Sequence, residues 1–137
     1  MCIDENGISD DPVKRKNIAA TIIGRALRSG IKPEDIIVDP VAMAVSADPR
    51  ACLVTLDTIR LIRSDLGHNI TMGSSNISFG LPDRESLNAA FLTLAVYCGL
   101  TCPIANPEKI TAAVRATDLV LRSEERRVGK ECRSRWS

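Results

Sequence analysis

Three times along the chain a short apolar run stops at an Asp or Asn, and a helical pattern follows. Asp39 closes Ile36-Ile37-Val38, Asn76 follows Ile70-Thr71-Met72-Gly73, and Asn106 closes Leu100 to Ala105. The unit therefore recurs every thirty-odd residues. Strands that alternate with helices at this interval pair in parallel and are joined by right-handed crossovers, so the fold class is α/β. Either a doubly wound sheet or a (β/α)₈ barrel satisfies the pattern, and periodicity does not choose between them. Both keep ligands beyond the carboxyl ends of their strands. No G-x-G-x-x-G follows a strand and no G-x-x-x-x-G-K is present, so nucleotide binding has no support.

The helices carry local punctuation. Asp11-Pro12 supplies an N-cap and a first-turn proline to a helix with Ile18, Ile22 and Ala26 in line, flanked by Ala19, Ile23 and Leu27 and closed by Gly30. Asp48-Pro49 repeats the signal before Leu53, Leu56, Ile59, Ile62 and Leu66, which stop at Gly67. Pro82-Asp83 precedes Leu87, Phe91, Leu94 and Cys98, ended by Gly99, and Asn106-Pro107 precedes Ile110, Val114, Thr117 and Leu121. The run Ile36 to Val38 reads as a strand buried on both faces. Aromatic residues make up only 3% of the chain, so the core must be built from Ile, Val, Leu and Ala.

A net charge of +1 leaves no excess for neutralising nucleic-acid phosphates. No apolar run is long enough to span a bilayer, and the acidic MCIDENGISDD lacks the layout of a signal peptide, so a cytoplasmic protein is expected. The five cysteines (Cys2, Cys52, Cys98, Cys102, Cys132) have no framework spacing. Cys98 and Cys102 lack the further ligands a zinc site needs, so buried reduced thiols are expected and no protein-bound metal. His68, between Gly67 and Asn69, reads as a turn residue.

The densest chemistry lies in Ile70 to Arg84, ITMGSSNISFGLPDR. A strand delivers Gly73, Ser74, Ser75, Asn76 and Ser78 to its carboxyl end, where small groups let a flat ligand approach the backbone. An unliganded polar loop would read the same way. Asp39, likewise, is either a turn-forming cap or a ligand carboxylate.

The stretch GSSNISFGLPDR resembles the seventh strand and loop of the pterin-binding barrels that use methyltetrahydrofolate: the methyltetrahydrofolate:corrinoid methyltransferases and the folate module of cobalamin-dependent methionine synthase. The resemblance extends from Cys2 to about Leu121. It implies the C-terminal half of a (β/α)₈ TIM barrel, about four βα units, with the chain starting after the fifth strand. It further implies transfer of the methyl group of 5-methyltetrahydrofolate to the cobalt(I) of a corrinoid protein, the pterin lying across the carboxyl mouth, and a homodimer in the intact protein.

Residue by residue, Asp39 of IIVDPVAM stands where the family's aspartate meets the pterin's amino-pyrimidine edge. Asn76 stands where an asparagine reaches the methyl-bearing ring nitrogen and serves as the catalytic group. Arg84 matches an arginine on the substrate side, although Asp83 replaces the asparagine usual before it. Ser74, Ser78 and Asn106 are further pterin-site candidates. A dihydropteroate synthase-like enzyme is the alternative, but its serine-arginine-lysine group is replaced by Ser75-Asn76-Ile77, with no lysine between Lys32 and Lys109. A non-catalytic half-barrel is the other alternative, since the family's first half supplies other pterin contacts. Residues 1–121 are thus expected to form the partial barrel. Residues 122–137, RSEERRVGKECRSRWS, have no apolar period and read as an unrelated basic tail or sequence scar, disordered and outside the fold.

Overall fold

The structure, a computed structural model, describes residues 1–121, so the expectation for the basic tail lies outside the described residues. Three strands, β1 (Ile37–Val38), β2 (Asn69–Gly73) and β3 (Cys102–Ile104), form a parallel sheet in the order β1-β2-β3. Four helices, α1 (Pro12–Arg28), α2 (Ala51–Leu61), α3 (Arg84–Cys98) and α4 (Pro107–Val120), complete the α/β alternation. The amino-terminal scrap of strand is reduced to an isolated bridge between Asp4 and Gly7, with the Cys2 N–H donating to the Asp39 carbonyl at 2.9 Å. That bond sets the N-terminal segment beside β1.

The caps act where their chemistry dictates. Asp11 accepts from the Val13 N–H and Asn106 from the Glu108 N–H, each at 2.9 Å, ahead of a first-turn proline. Asp48 binds the Arg50 N–H instead, so α2 starts at Ala51, later than its Asp-Pro signal. It ends in a π-helical turn, Ile62–Leu66, closed by left-handed Gly67. His68 lies between that cap and β2, outside both.

Alternation along the strands gives the sheet two unlike faces. Val38, Ile70 and Met72 point into the core, where they join Ile23, Leu56, Ile59, Ile62, Phe91, Leu92 and Ala95. Ile37 and Ile104, on the other face, are 50% and 62% exposed. The expectation that β1 is buried on both faces is corrected accordingly: among the described residues nothing covers the second face.

The helix faces shift as well. Leu53, Leu94 and Ile22, expected in the stripes, are exposed, whereas Arg15, Thr55 and Thr58 are buried. Cys2 and Cys98 are buried as small hydrophobes, but Cys102 is exposed because its side of β3 lies on the uncovered face. No described helix is long and apolar enough to cross a membrane.

Candidate functional site

Parallel pairing brings three strand ends to one edge of the sheet, and the polar residues follow from it. Val38 pairs with Ile70 and Gly73 with Ile104, so Asp39, the Ser74–Ser78 segment and Asn106 leave the sheet on the same side. The loop after β1 is tied to the loop after β2. The Val45 N–H donates to the Ile77 carbonyl at 2.9 Å, and the Ser46 hydroxyl to the Phe79 carbonyl at 2.7 Å. Asp39 and Asn76 are thereby carried on one connected rim.

Asp39 is half-buried, and its Oδ1 accepts the Val41 N–H at 2.9 Å. That leaves Oδ2 for another donor. Val41 has φ of +67°, a left-handed conformation rare for a β-branched residue. On β2, a Cβ placed on Gly73 would lie 3.2 Å from the Asn76 amide nitrogen. Asn76 thus packs over the bare glycine backbone, with its exposed amide at the strand end. Gly73 is favoured by this close approach, which a Cβ would make tight, rather than by its backbone angles, since its φ is −72°.

The remaining candidates are engaged by the protein itself. Ser78, fully buried, donates to the Ser75 carbonyl at 3.2 Å and accepts from Arg84 Nε at 3.0 Å. Arg84 Nη2 donates to the same Ser75 carbonyl at 3.0 Å, and its guanidinium stands 5.9 Å from the Phe79 ring centre. Ser74, buried, reaches the Ile104 carbonyl at 3.5 Å. Asn106 is turned into the cap of α4. Asp83 adopts φ +49°, a region Asn and Asp tolerate better than other residues.

Arg15 joins the site without being among the residues expected from sequence. It lies on α1, far from the strand-end motifs in sequence, but its guanidinium reaches the carbonyls of Pro40 and Val41 at 3.1 and 2.8 Å. The available signal is a charge at the i−4 position from Ala19 and i−8 from Ile23, within the buried stripe. Among the described residues no cluster of His, Cys, Asp and Glu is arranged to hold a metal ion.

The sequence profile of the pterin-binding enzymes matches residues 4–106. The chain belongs to the pterin-binding enzyme family. It is also similar to the methylcorrinoid:tetrahydrofolate methyltransferase of Eubacterium limosum, at 32% identity over 126 residues, 88% of this chain. The chain spans 46% of that relative's length. The relative's name has the methyl group moving from the corrinoid to the folate, opposite to the direction expected from sequence.

Proposed function

We propose that this chain is the carboxyl-terminal half of a (β/α)₈ methyltransferase that exchanges a methyl group between a tetrahydrofolate nitrogen and the cobalt of a corrinoid partner. The observation that carries this reading is the pairing at one rim of a half-buried carboxylate, Asp39, with an amide, Asn76, lying over a bare glycine. A flat heterocycle rich in N–H groups suits such a rim, because a carboxylate accepts paired donors and Gly73 offers no side chain in the way. Family membership and the named relative support the substrate class.

In this reading Asp39 orients the amino-pyrimidine edge through its free lone pairs, while the Val41 N–H fixes the carboxylate plane. Asn76 meets the ring nitrogen that gains or loses the methyl group. An amide can donate or accept by rotating, so it follows the change in electron demand at that nitrogen without being a strong acid. The same contacts serve transfer in either direction, because forward and reverse reactions share one transition state. The corrinoid supplies the cobalt that holds the methyl group; it belongs to the partner. Ser78 and Arg84 brace the loop that presents Asn76, and Asn106 holds the start of α4.

The test separates the two roles in a complete barrel carrying this half. Asp39→Ala is expected to weaken folate binding by about 2 to 4 kcal/mol while leaving saturated transfer nearly unchanged, since it strands ring donors equally in ground and transition states. Asn76→Ala is expected to slow single-turnover transfer about a hundredfold, roughly 3 kcal/mol, with little effect on binding. Poor binding but normal saturated transfer by the Asn76 variant would refute the assignment.

A further inference from the structure

Arg15 is 1% exposed, and among the described residues its hydrogen-bond partners include no carboxylate. Nε donates to the Ser9 carbonyl at 2.6 Å, Nη1 to the Pro40 and Val41 carbonyls, and Nη2 to the Met43 sulfur at 3.7 Å. Burying a guanidinium without a hydrogen-bonded carboxylate is unfavourable, and burial lowers its pKa against the opposing pull of Cys2 and Asp10. Such a residue calls for an explanation beyond packing.

The loop that it grips supplies one. Consecutive carbonyls of Pro40 and Val41 converge on a single nitrogen where Val41 adopts its left-handed conformation, and Thr55 Oγ1 adds a 3.3 Å bond to the Val41 carbonyl. The same peptide turn aims the Val41 N–H at Asp39 Oδ1. A path of two hydrogen bonds joined by the Val41 backbone therefore runs from α1 to the carboxylate: guanidinium, Val41 carbonyl, Val41 N–H, Asp39. Backbone outliers held this way accompany functional sites because the surrounding structure must over-determine them.

We propose that Arg15 is a positioning residue for Asp39, clamping the Pro40-Val41 turn so that the carboxylate is presented to the pterin in one orientation. The assignment of the ligand rests on the methyltransferase reading above; the clamp itself does not. Lysine cannot replace it, because one ammonium lacks the planar fork that spans Ser9, the two carbonyls and Met43.

Hydrogen exchange on the full 137-residue chain tests the clamp without folate. Arg15→Met and Arg15→Lys are expected to speed exchange of the Val41 amide at least tenfold relative to Ile70 and Met72 in the sheet. Ile23→Ala, which removes packing from the same buried stripe, should speed all three together. If Arg15→Met does not fold, Arg15→Lys alone decides between the outcomes. Equal exchange changes at Val41 and the sheet would overturn the clamp.

Folate affinity in the complete barrel supplies the second arm. Arg15→Lys is expected to raise the Kd about tenfold at unchanged saturated rate, with no further loss when combined with Asp39→Ala. Multiplying losses would overturn action through Asp39. Selective Val41 exchange together with an Asp39→Ala variant of normal folate affinity would uphold the clamp and remove Asp39 from the pterin site.

Discussion

Cys2 and Cys102 put one residue type to opposite uses. Cys2 is fully buried, and burial, reinforced by the Asp39 charge, pushes its thiol up to about 11 against the opposing charges of the amino terminus and Arg15. Burial raises Cys52 and Cys98 as well. A raised thiol value in the folded state means that the stabilisation is complete below the unfolded value, near 9, where the thiol is neutral in both states. It is lost as pH rises through the folded value. The denaturant midpoint is therefore expected to fall from about pH 9 to about pH 11, and Cys2→Ala to flatten part of that fall. A midpoint constant across this window in the parent chain would contradict the assignment. Among the described cysteines, Cys102 should be alkylated first at neutral pH, which peptide mapping by mass spectrometry reads directly.

Helix ends and helix faces are not equally legible in the sequence. Ends are set by chemistry within a few residues, so Asp11-Pro12, Gly30, Gly67, Gly99 and Asn106-Pro107 mark the observed boundaries closely. Faces depend on which neighbour covers them. Where a helix carries apolar residues most of the way round, several stripes fit the same period, and Leu53 and Leu94 fall on one that the fold leaves exposed. Thr55 and Thr58 look polar in sequence yet are fully buried, because their hydroxyls donate to the Ala51 and Val54 carbonyls one turn back. The rim is legible for a related reason. Asp39 and Asn76 are read from strand ends, whereas Arg15 reaches the site only through tertiary packing. Gly99 offers a test at this scale. Its φ is +114°, and a Cβ there would lie 2.7 Å from Arg63 Cγ and 3.0 Å from Arg63 Cβ. Gly99→Ala is expected to destabilise by more than the roughly 1 to 2 kcal/mol of left-handed strain. Gly30→Ala, at φ +83° with no atom within 4 Å of the new Cβ, should show the strain alone. Equal losses in denaturant melts would show that Arg63 moves aside freely.

At the scale of the whole molecule, the open sheet face and the site bear on the same question. In a closed barrel, side chains pointing inward from all strands fill the interior in layers, and the carboxyl mouth is completed by loops from every strand. Here, among the described residues, Ile37 and Ile104 point away from the core into the uncovered side, and the rim consists of the loops after three strands. On the reading proposed above, a pterin bound at that rim would meet Asp39 and Asn76 along one arc and solvent along the rest. Water beside the reacting nitrogen weakens each electrostatic contact there, and a ligand held on one side loses the orientation that fast transfer requires. The chain by itself, spanning 46% of its relative, is accordingly expected to show no appreciable methyl transfer. Mixing it with methyltetrahydrofolate and a reduced corrinoid protein, and following the cobalt(I) absorbance, provides the measurement. Turnover of roughly one per second or faster, an ordinary enzymatic rate, would show that this arc of the rim suffices. Recovery of turnover when this chain is supplied within a longer, full-barrel chain would support the half-barrel reading proposed above and place the deficit in barrel closure, not in Asp39 or Asn76.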